Sequence, residues 1–276
     1  MAPIIRNRFL LLRRTVQASV LLLFVAGNAF GWKVLQGNLS SSRLLDSVPL
    51  ADPYALLQVL FTGTAVATDA LIGGTVVLLV FAVAGGRTFC AWVCPMNMVT
   101  DLAERLRDAG GIDRRLPAMT LTRQTRYWVL GLGLVLSAVL GIAAFERISP
   151  ISMLHRGVIF GMGAGWTLIA AVFLFDLAVV RQGFCGHLCP LGGFYAVVGR
   201  AGLVRVRHRE EQCSRCMRCR DVCPEPQVLP LIGKESGFIT SGECTNCGKC
   251  IEVCPDDALL FGMRMPGTPT GEHKGG

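Results

Sequence analysis

Apolar and polar positions of this chain separate into long blocks. Four apolar runs, divided by polar loops, cover residues 15–32, 66–86, 127–145 and 159–180. A helix needs about 20 predominantly apolar residues to cross the hydrocarbon core of a bilayer, and each run approaches or reaches that length. The pattern therefore predicts an α-helical membrane protein with four transmembrane helices.

Basic residues are distributed unevenly among the loops. Four arginines precede the first run and seven lie between the second and third, whereas each of the other two loops holds two basic residues. The positive-inside rule places the arginine-rich segments, and with them both termini, in the cytoplasm. Two alternatives concern the first run: a cleaved signal peptide, and a twin-arginine export signal at Arg13 and Arg14.

Composition supports a membrane protein and limits the roles that the cysteines can have. Hydrophobic residues make up 52% of the 276 positions and charged residues 17%, which disfavours a purely soluble globule. The net charge of +8 falls on the predicted cytoplasmic face, where anionic lipid attracts it, so no nucleic acid partner is needed. Disulfide-rich secreted proteins are small and lack long apolar runs, and the twelve cysteines therefore indicate metal ligation.

The pattern CxxCxxCxxxCP occurs twice after residue 200, at residues 213–224 and 244–255. In two-cluster ferredoxins, three closely spaced thiolates bind one cubane, while the fourth, just before proline, binds the neighbouring cubane. This rule predicts two [4Fe-4S] clusters. The first is assigned to Cys213, Cys216, Cys219 and Cys254, and the second to Cys223, Cys244, Cys247 and Cys250. Structural zinc is the alternative, although zinc sites typically use two CxxC-like pairs per ion.

Turn-forming residues and short strand-like pieces, such as residues 237–240, lie between the two motifs. They predict an α+β ferredoxin-like domain at residues 201–262, in the cytoplasm, after a four-helix transmembrane domain at residues 1–200. Residues 263–276 contain little to bury and are predicted to form a disordered tail.

A shorter motif, CxxxCP, follows the second and fourth apolar runs, as FCAWVCP at residues 89–95 and FCGHLCP at residues 184–190. Each copy ends a helix that runs inward, so the four spans are interpreted as two helical-hairpin repeats. The cysteines concerned are Cys90, Cys94, Cys185 and Cys189. They are candidates for one further cluster or another redox or contact site. Packing cysteines without a cofactor, and disulfides within each pair, are the alternatives.

Two ionisable residues near the second copy are candidate catalytic groups. His187 could accept a proton from a quinol, with a surface histidine at a helix end as the alternative. Asp176 could relay protons, since an unpaired charge at mid-depth costs about 2.5 to 3.5 kcal/mol; pairing with Arg181 or Arg87 is the alternative. The apolar runs contain no histidine and the chain has no CxxCH, which excludes haem as the cofactor.

Several segments together resemble one known family. They are GNLSSSRLLDSVPLADP at residues 37–53, the two CxxxCP motifs, LFDLAVV at residues 174–180 and CMRCRDVCPEP at residues 216–226. Along nearly its whole length the chain resembles the NapH family of ferredoxin-type membrane proteins of the periplasmic nitrate reductase system. The CxxxCP pairs and duplicated cluster motif are shared by a wider group that includes the NosR and MauN families.

The resemblance implies a function. A NapH-like protein would be the integral, non-haem iron–sulfur subunit of a quinol dehydrogenase in a bacterial inner membrane, active only with an exported iron–sulfur partner like NapG. Electrons would pass from the quinone pool, as ubiquinol or menaquinol, through this partner towards periplasmic nitrate reductase. The alternative is a maturation, assembly or docking protein that supplies electrons to a partner reductase.

Overall fold

The computed structural model describes residues 7–111, 121–161 and 163–264. The chain divides into two compact units. The cluster unit contains residues 7–16, 80–93 and 195–264, and the helical unit contains the described residues of 17–79 and 94–194. The cluster unit therefore draws on three separate segments of the chain, including residues that the sequence assigned to the transmembrane half.

Helices dominate the described residues, and short strands form two sheets. The helices are α1 (Arg8–Ala29), α2 (Pro53–Phe61), α3 (Thr68–Ala84), α4 (Thr88–Trp92), α5 (Met96–Ala109), α6 (Thr125–Leu140), α7 (Ala144–Ile148), α8 (Pro150–Phe160), α9 (Gly165–Ala178), α10 (Pro190–Val198), α11 (Arg218–Asp221) and α12 (Lys249–Val253). The strands are β1 (Leu35–Gly37), β2 (Ser41–Leu44), β3 (Val48–Ala51), β4 (Val204–His208), β5 (Gly237–Phe238) and β6 (Leu259–Met263).

A helix occupies each of the four predicted apolar runs. Among the described residues, α1 is the one helix that is both long and apolar enough to cross a bilayer, judged by length and composition. The helices α3, α6 and α9 are apolar but have 17, 16 and 14 residues. Gly141, with a left-handed φ of 66°, ends α6 inside the predicted run, because glycine adopts this conformation without steric cost.

In the helical unit, the loop after α1 folds into an antiparallel sheet of β1, β2 and β3. The amide of Asn28 holds this sheet to the end of α1: its Nδ2 donates to the Gly37 carbonyl at 2.9 Å, and its Oδ1 accepts from the Gly37 N–H at 3.3 Å. Asp52 then caps α2 by accepting the Tyr54 N–H at 3.0 Å. The sequence analysis assigned no elements to this loop.

The core of the helical unit contains polar groups with backbone partners. Tyr54 is 1% exposed, and its hydroxyl lies 3.5 Å from the Leu130 carbonyl on α6. Gln58 is fully buried, and its Oε1 accepts the Phe145 N–H at 2.9 Å. Gly133 leaves room for Tyr54, because a Cβ there would lie 2.6 Å from the tyrosine oxygen. Since buried polar groups are costly without partners, these contacts fix how α2 packs on α6.

The cluster unit contains the second sheet, in which β4 pairs antiparallel with both β5 and β6. β5 confirms the strand expected at residues 237–240, although it is shorter. Cysteines pack with aliphatic side chains in the core beside the sheet, including Cys219, Cys244 and Cys250. The sheet with α11 and α12 is the predicted α+β arrangement. Of the segment predicted as a disordered tail, Met263 ends β6, and residues 265–276 lie outside the described residues.

The other two segments of the cluster unit pack by aromatic contacts. Phe9, in the first turn of α1, contacts Phe261 edge to face at 5.4 Å between ring centroids. In residues 80–93, the ring of Phe89 stacks on that of Tyr195 at 4.9 Å, and Phe81 meets both rings edge to face. These contacts bury apolar surface within the unit.

Gly86 provides a test of this packing. Its φ is 61°, and a Cβ would lie 2.1 Å from the Tyr195 carbonyl oxygen and 2.4 Å from the Gly199 Cα. Gly233 has a similar φ of 74°, but a Cβ there meets only side-chain atoms, at 3.2 Å. We expect Gly233→Ala to cost about 1 to 2 kcal/mol of backbone strain. Gly86→Ala should cost several kcal/mol more, because backbone atoms must move.

The measurement is the thermal unfolding midpoint of each cluster-loaded variant in detergent. Equal midpoints for Gly86→Ala and Gly233→Ala would contradict the close packing of residues 80–93 against residues 195–199.

Candidate metal centre

The second cysteine motif and the last cysteine of the first motif line one pocket in the cluster unit. Its thiols belong to Cys223, Cys244, Cys247 and Cys250. Cys250 lies within electrostatic range of the other three. The fold thus brings together the four residues that the sequence analysis assigned to the second cluster, including Cys223 from the other motif.

The first motif forms a matching group. Cys219 lies within electrostatic range of Cys213 and of Cys254, the last cysteine of the second motif. Each motif therefore places its fourth cysteine beside the other motif, as expected for crossed ligation in a two-cluster ferredoxin. Cys216, the remaining member of this set, is exposed.

The two motif loops share an unusual backbone conformation. Arg215 and Met217 flank Cys216 with φ values of 59° and 58°, and Asn246 and Gly248 flank Cys247 with φ values of 48° and 76°. Three of these four residues are not glycine, and left-handed backbone is uncommon for them. Successive left-handed and right-handed residues turn amide groups towards one side and form anion-binding concavities. The loops are thus built to surround an anionic group, a feature that the cysteine spacing alone did not reveal.

Burial distinguishes the two sets. Cys244, Cys247 and Cys250 are all buried, whereas Cys216 is exposed and Cys213 half-buried. Burial raises the pKa of the Cys244 thiol to about 11, despite the opposing positive charges of Arg205 and Arg87. Burial also raises the pKa of the Cys250 thiol, and neighbouring thiols add to the effect. Such thiols are neutral by themselves, and iron would be needed to hold them as thiolates.

Residues 80–93 contact the second motif inside the cluster unit. The indole Nε1 of Trp92 donates to the Asn246 carbonyl at 3.0 Å. The Asn246 amide in turn donates to the carbonyls of Ala84 at 3.0 Å and Val204 at 2.9 Å. Asn246 lies between Cys244 and Cys247, so these bonds fix the motif loop to α4, α3 and β4 together.

A buried ion pair lies beside the same pocket. Arg87 Nη1 is 2.6 Å from Glu225 Oε1, and both side chains are 3% exposed. The same nitrogen donates to the Glu243 carbonyl at 3.1 Å. Glu225 also lines the pocket of the second cysteine set. The sequence analysis offered Arg87 as a partner of Asp176, whereas the structure gives Arg87 a carboxylate partner in the cluster unit.

The CxxxCP cysteines divide between the two units. Cys90, half-buried in α4, belongs to the cluster unit, whereas Cys94, Cys185 and Cys189 belong to the helical unit. There, Cys185 lies within electrostatic range of both Cys94 and Cys189 and of Asp176. The two motif copies therefore meet in the helical unit through three of their four cysteines.

The candidate catalytic residues lie in the same region of the helical unit. Asp176 is 1% exposed, and its Oδ1 accepts the Phe184 N–H at 2.9 Å. Arg107 donates to the carbonyls of Asp176 at 3.3 Å and Leu177 at 3.0 Å. His187 is 8% exposed within a π-helical turn, Phe184–Leu188, so it is not the surface histidine that the sequence offered as an alternative.

Two family models match the chain. A model described as "4Fe-4S binding domain" matches residues 66–111 and 158–209, which contain the two CxxxCP motifs. A model described as "4Fe-4S dicluster domain" matches residues 205–255, which contain both CxxCxxCxxxCP motifs. These matches support iron–sulfur clusters over structural zinc.

Relatives of two names match most of the chain. The methylamine utilization ferredoxin-type protein MauN of Methylorubrum extorquens is 47% identical over 84% of this chain and 81% of its own length. The ferredoxin-type protein NapH of Escherichia coli is 46% identical over 83% of this chain and 80% of its own length. NapH of Haemophilus influenzae is 43% identical, with 83% and 80% covered. No solved structure matches the chain.

The ion pair between Arg87 and Glu225 leads to a test of stability. Removing one member of a buried pair leaves an uncompensated charge and costs about 3 to 5 kcal/mol. We therefore expect Glu225→Gln to lower the thermal unfolding midpoint strongly, and the double variant Arg87→Gln/Glu225→Gln to lose less than the sum of the single losses.

The matched control is Glu210→Gln, because Glu210 pairs with Arg215 at 3.0 Å on the surface, with side chains 37% and 63% exposed. Exposed pairs contribute about 1 kcal/mol or less. An equally small effect of Glu225→Gln would mean that the buried pair does not stabilise the cluster unit.

Proposed function

Because the chain belongs to the NapH and MauN group of ferredoxin-type proteins, we propose that it is the membrane subunit of a quinol dehydrogenase. It takes electrons from quinol and passes them, through an exported iron–sulfur partner of the NapG type, towards periplasmic nitrate reductase. The observation that carries the proposal is the exchange of fourth cysteines between the two motifs, Cys254 beside Cys219 and Cys223 beside Cys250, in a segment matched by an iron–sulfur family model.

The ligands of the two clusters follow from the grouping of the thiols. Cys213, Cys216, Cys219 and Cys254 hold the first [4Fe-4S] cluster, and Cys223, Cys244, Cys247 and Cys250 hold the second. When bound, these clusters supply one-electron transfer. The support is the approach of Cys254 to Cys219 and of Cys223 to Cys250, together with the left-handed loops around Cys216 and Cys247.

A multi-pass location in the bacterial inner membrane, with both termini and the clusters in the cytoplasm, is supported by outward-facing apolar side chains. On α6, Trp128 is 78% exposed and Val139 75%, and Leu174 of α9 is 58% exposed. In the part of α3 that belongs to the helical unit, the buried residues are Gly73 and Gly74. Surfaces this apolar are covered by a membrane or a partner. The distribution of arginines favours lipid with the loops oriented as the positive-inside rule requires.

Quinol oxidation needs a group that accepts protons, and Asp176 is the proposed one. Its Oδ2 is buried and has no hydrogen-bond partner among the described residues, although Oδ1 is held by the Phe184 N–H. The thiol of Cys185 is close by. Oxidation of a quinol releases two protons and two electrons. The Asp176 carboxylate would accept one proton, pass it on towards water and then accept the other, and the clusters held by the eight cysteines would supply one-electron transfer. His187, in the turn that follows, is the second candidate.

The CxxxCP cysteines are the proposed junction between quinol and the clusters. The match of a 4Fe-4S family model to both copies supports a further cofactor there, as does the grouping of Cys94, Cys185 and Cys189. The further cofactor would be established by iron and sulfide contents that exceed those of two cubanes and fall to the two-cubane level in Cys185→Ser. A two-cluster content unchanged by Cys185→Ser would leave these cysteines as packing or contact residues.

Crossed ligation gives the first test of the function. Cys223→Ser and Cys250→Ser should remove or alter the same paramagnetic resonance signal of the reduced protein, and Cys254→Ser and Cys219→Ser should affect the other signal, because each pair contributes to one cluster. Iron analysis of the same samples provides the loading control. A Cys223→Ser variant that loses the signal lost in Cys219→Ser would refute the crossed assignment.

Reduction by quinol gives the second test. In reconstituted vesicles, ubiquinol or menaquinol analogues should reduce the clusters, and Asp176→Asn should slow this by about 100-fold, a typical contribution of general acid–base catalysis. Reduction by dithionite should be unchanged. Asp69→Asn is the matched control, because Asp69 lies on α3 but is exposed and paired with Arg43 at 3.3 Å. Clusters that stay oxidised in excess quinol would overturn the proposal.

A strain that lacks this protein distinguishes the proposed function from the alternative. If the chain is a maturation or docking protein, the partner reductase should lack part of its cofactor when the chain is deleted. If it is an electron-transfer subunit, the partner reductase should remain fully active with an artificial electron donor.

A further inference from the structure

Arg205 is a fully buried cation in the central strand of the cluster unit. Its side chain is 0% exposed. Within the described part of the chain, its hydrogen bonds go to three backbone carbonyls: Gly202 at 3.1 Å, Ser241 at 3.0 Å and Gly199. Carbonyl oxygens satisfy the N–H groups but carry no net charge. A buried guanidinium is costly unless an opposite charge lies near it.

Ser241 links Arg205 to the second cysteine set, because its carbonyl accepts both Arg205 Nη1 at 3.0 Å and the Cys244 N–H at 3.2 Å. Arg205 and Cys244 interact electrostatically, and Arg87 acts on the same sulfur. The charge of Arg87 is offset by Glu225 at 2.6 Å, whereas the acceptors of Arg205 among the described residues are neutral carbonyls. A third cation, Arg264, lies close to Arg205 and adds positive charge to this side of the pocket.

The first cysteine set has a different environment. The charges that act on Cys219 come from the thiols of Cys254 and Cys213. The first motif does contain arginines, but Arg215, Arg218 and Arg220 are exposed. Water and salt screen exposed charges, so these arginines affect a nearby cluster much less than a buried one does.

We infer that Arg205 is the buried counter-charge of the cluster at Cys223, Cys244, Cys247 and Cys250, and that it makes this cluster the one with the higher reduction potential. The inference rests on the proposed ligation of two [4Fe-4S] clusters. Reduction adds one electron to the cluster and breaks no bond. The added negative charge is stabilised by a nearby buried cation, which raises the potential. Exclusion of water from the second set acts in the opposite direction, and the inference is that the buried charge has the larger effect.

Ordering of the two potentials gives Arg205 a role in electron transfer. Three of the four cysteines of the second set are buried, and Trp92 and Asn246 join this set to α4, which carries Cys90. An electron shared between the clusters would reside mainly on this inner set. Arg205 thus acts as a positioning residue for charge, without touching a substrate.

The experiment is a redox titration of the full-length, cluster-loaded protein with dithionite, followed by paramagnetic resonance. Cys216→Ser identifies the signal of the first cluster by its loss or alteration. In the unsubstituted protein, the second cluster should be reduced at the higher potential, and the order should persist in high salt because Arg205 is buried. The reverse order would overturn the inference without any substitution at Arg205.

Substitutions at Arg205 separate the effect of its charge from the effect of its packing. Arg205→Gln should lower the midpoint potential of the second cluster and leave that of the first unchanged, and Arg205→Lys should restore a value near the original. Arg215→Gln is the matched control, because Arg215 is 63% exposed and lies beside Cys216. This variant removes the same charge from a solvent-screened position and should leave the potential of the second cluster unchanged. A second-cluster potential that is unchanged in Arg205→Gln, or lowered equally in Arg205→Lys, would overturn the inference.

Iron content, measured on each sample, distinguishes this failure from that of the proposed function. Loss of the second cluster in Arg205→Gln, with retention in Arg205→Lys, would support the counter-charge role. Loss of the second cluster in both variants would show that Arg205 contributes hydrogen bonds and not charge. That result would overturn the inference. Because dithionite replaces quinol here, a chain that fails to oxidise quinol can still show the predicted order of potentials.

Discussion

The cluster unit is organised around the need to hold charge inside an apolar core. Its cysteines occupy positions among Val206, Ile239 and Leu259, where a neutral thiol packs well but an ionised one needs compensation. The fold supplies that compensation through Arg87 and Arg205, from two distant parts of the chain. Arg87 also ties its segment to the rest of the unit through Glu225, and Arg205 joins β4 to the Ser241 carbonyl.

This constraint explains why the ferredoxin-type half is not a simple appendage. The residues that follow α3 pass through Gly85 and Gly86 into α4, and they provide Arg87, Phe89 and Trp92 to the cluster unit. Removal of residues 80–93 would therefore expose the side of the core that supports the second cysteine set. The first CxxxCP motif begins inside this segment, so its first cysteine, Cys90, lies among residues that stabilise the cluster unit.

Much of this could be predicted from the sequence, because spacing of cysteines and long apolar runs are local signals. The two crossed sets, the helices in the four runs and the strand near Gly237 follow from them. The sheet of β1, β2 and β3 was missed because its strands have three or four residues and no clear alternation. Arg205 was missed for another reason. In VRVRH, alternation suggests two exposed arginines, yet Arg207 alone is exposed, since Arg205 is enclosed by the nearby Gly199 and Gly202 carbonyls and by the distant Ser241 carbonyl.

The exposure of the loop around Cys216 affects how the protein withstands contact with air. Its counterpart around Cys247 is covered by Trp92, Asn246 and the first turn of α1, whose Phe9 would meet a Cβ at Gly248. No such cover lies over Cys216, among the contacts that the structure describes. A cluster at the proposed first set would therefore be the first that dissolved oxygen and chelators reach, and its loss would limit how long the chain stays competent after exposure to air.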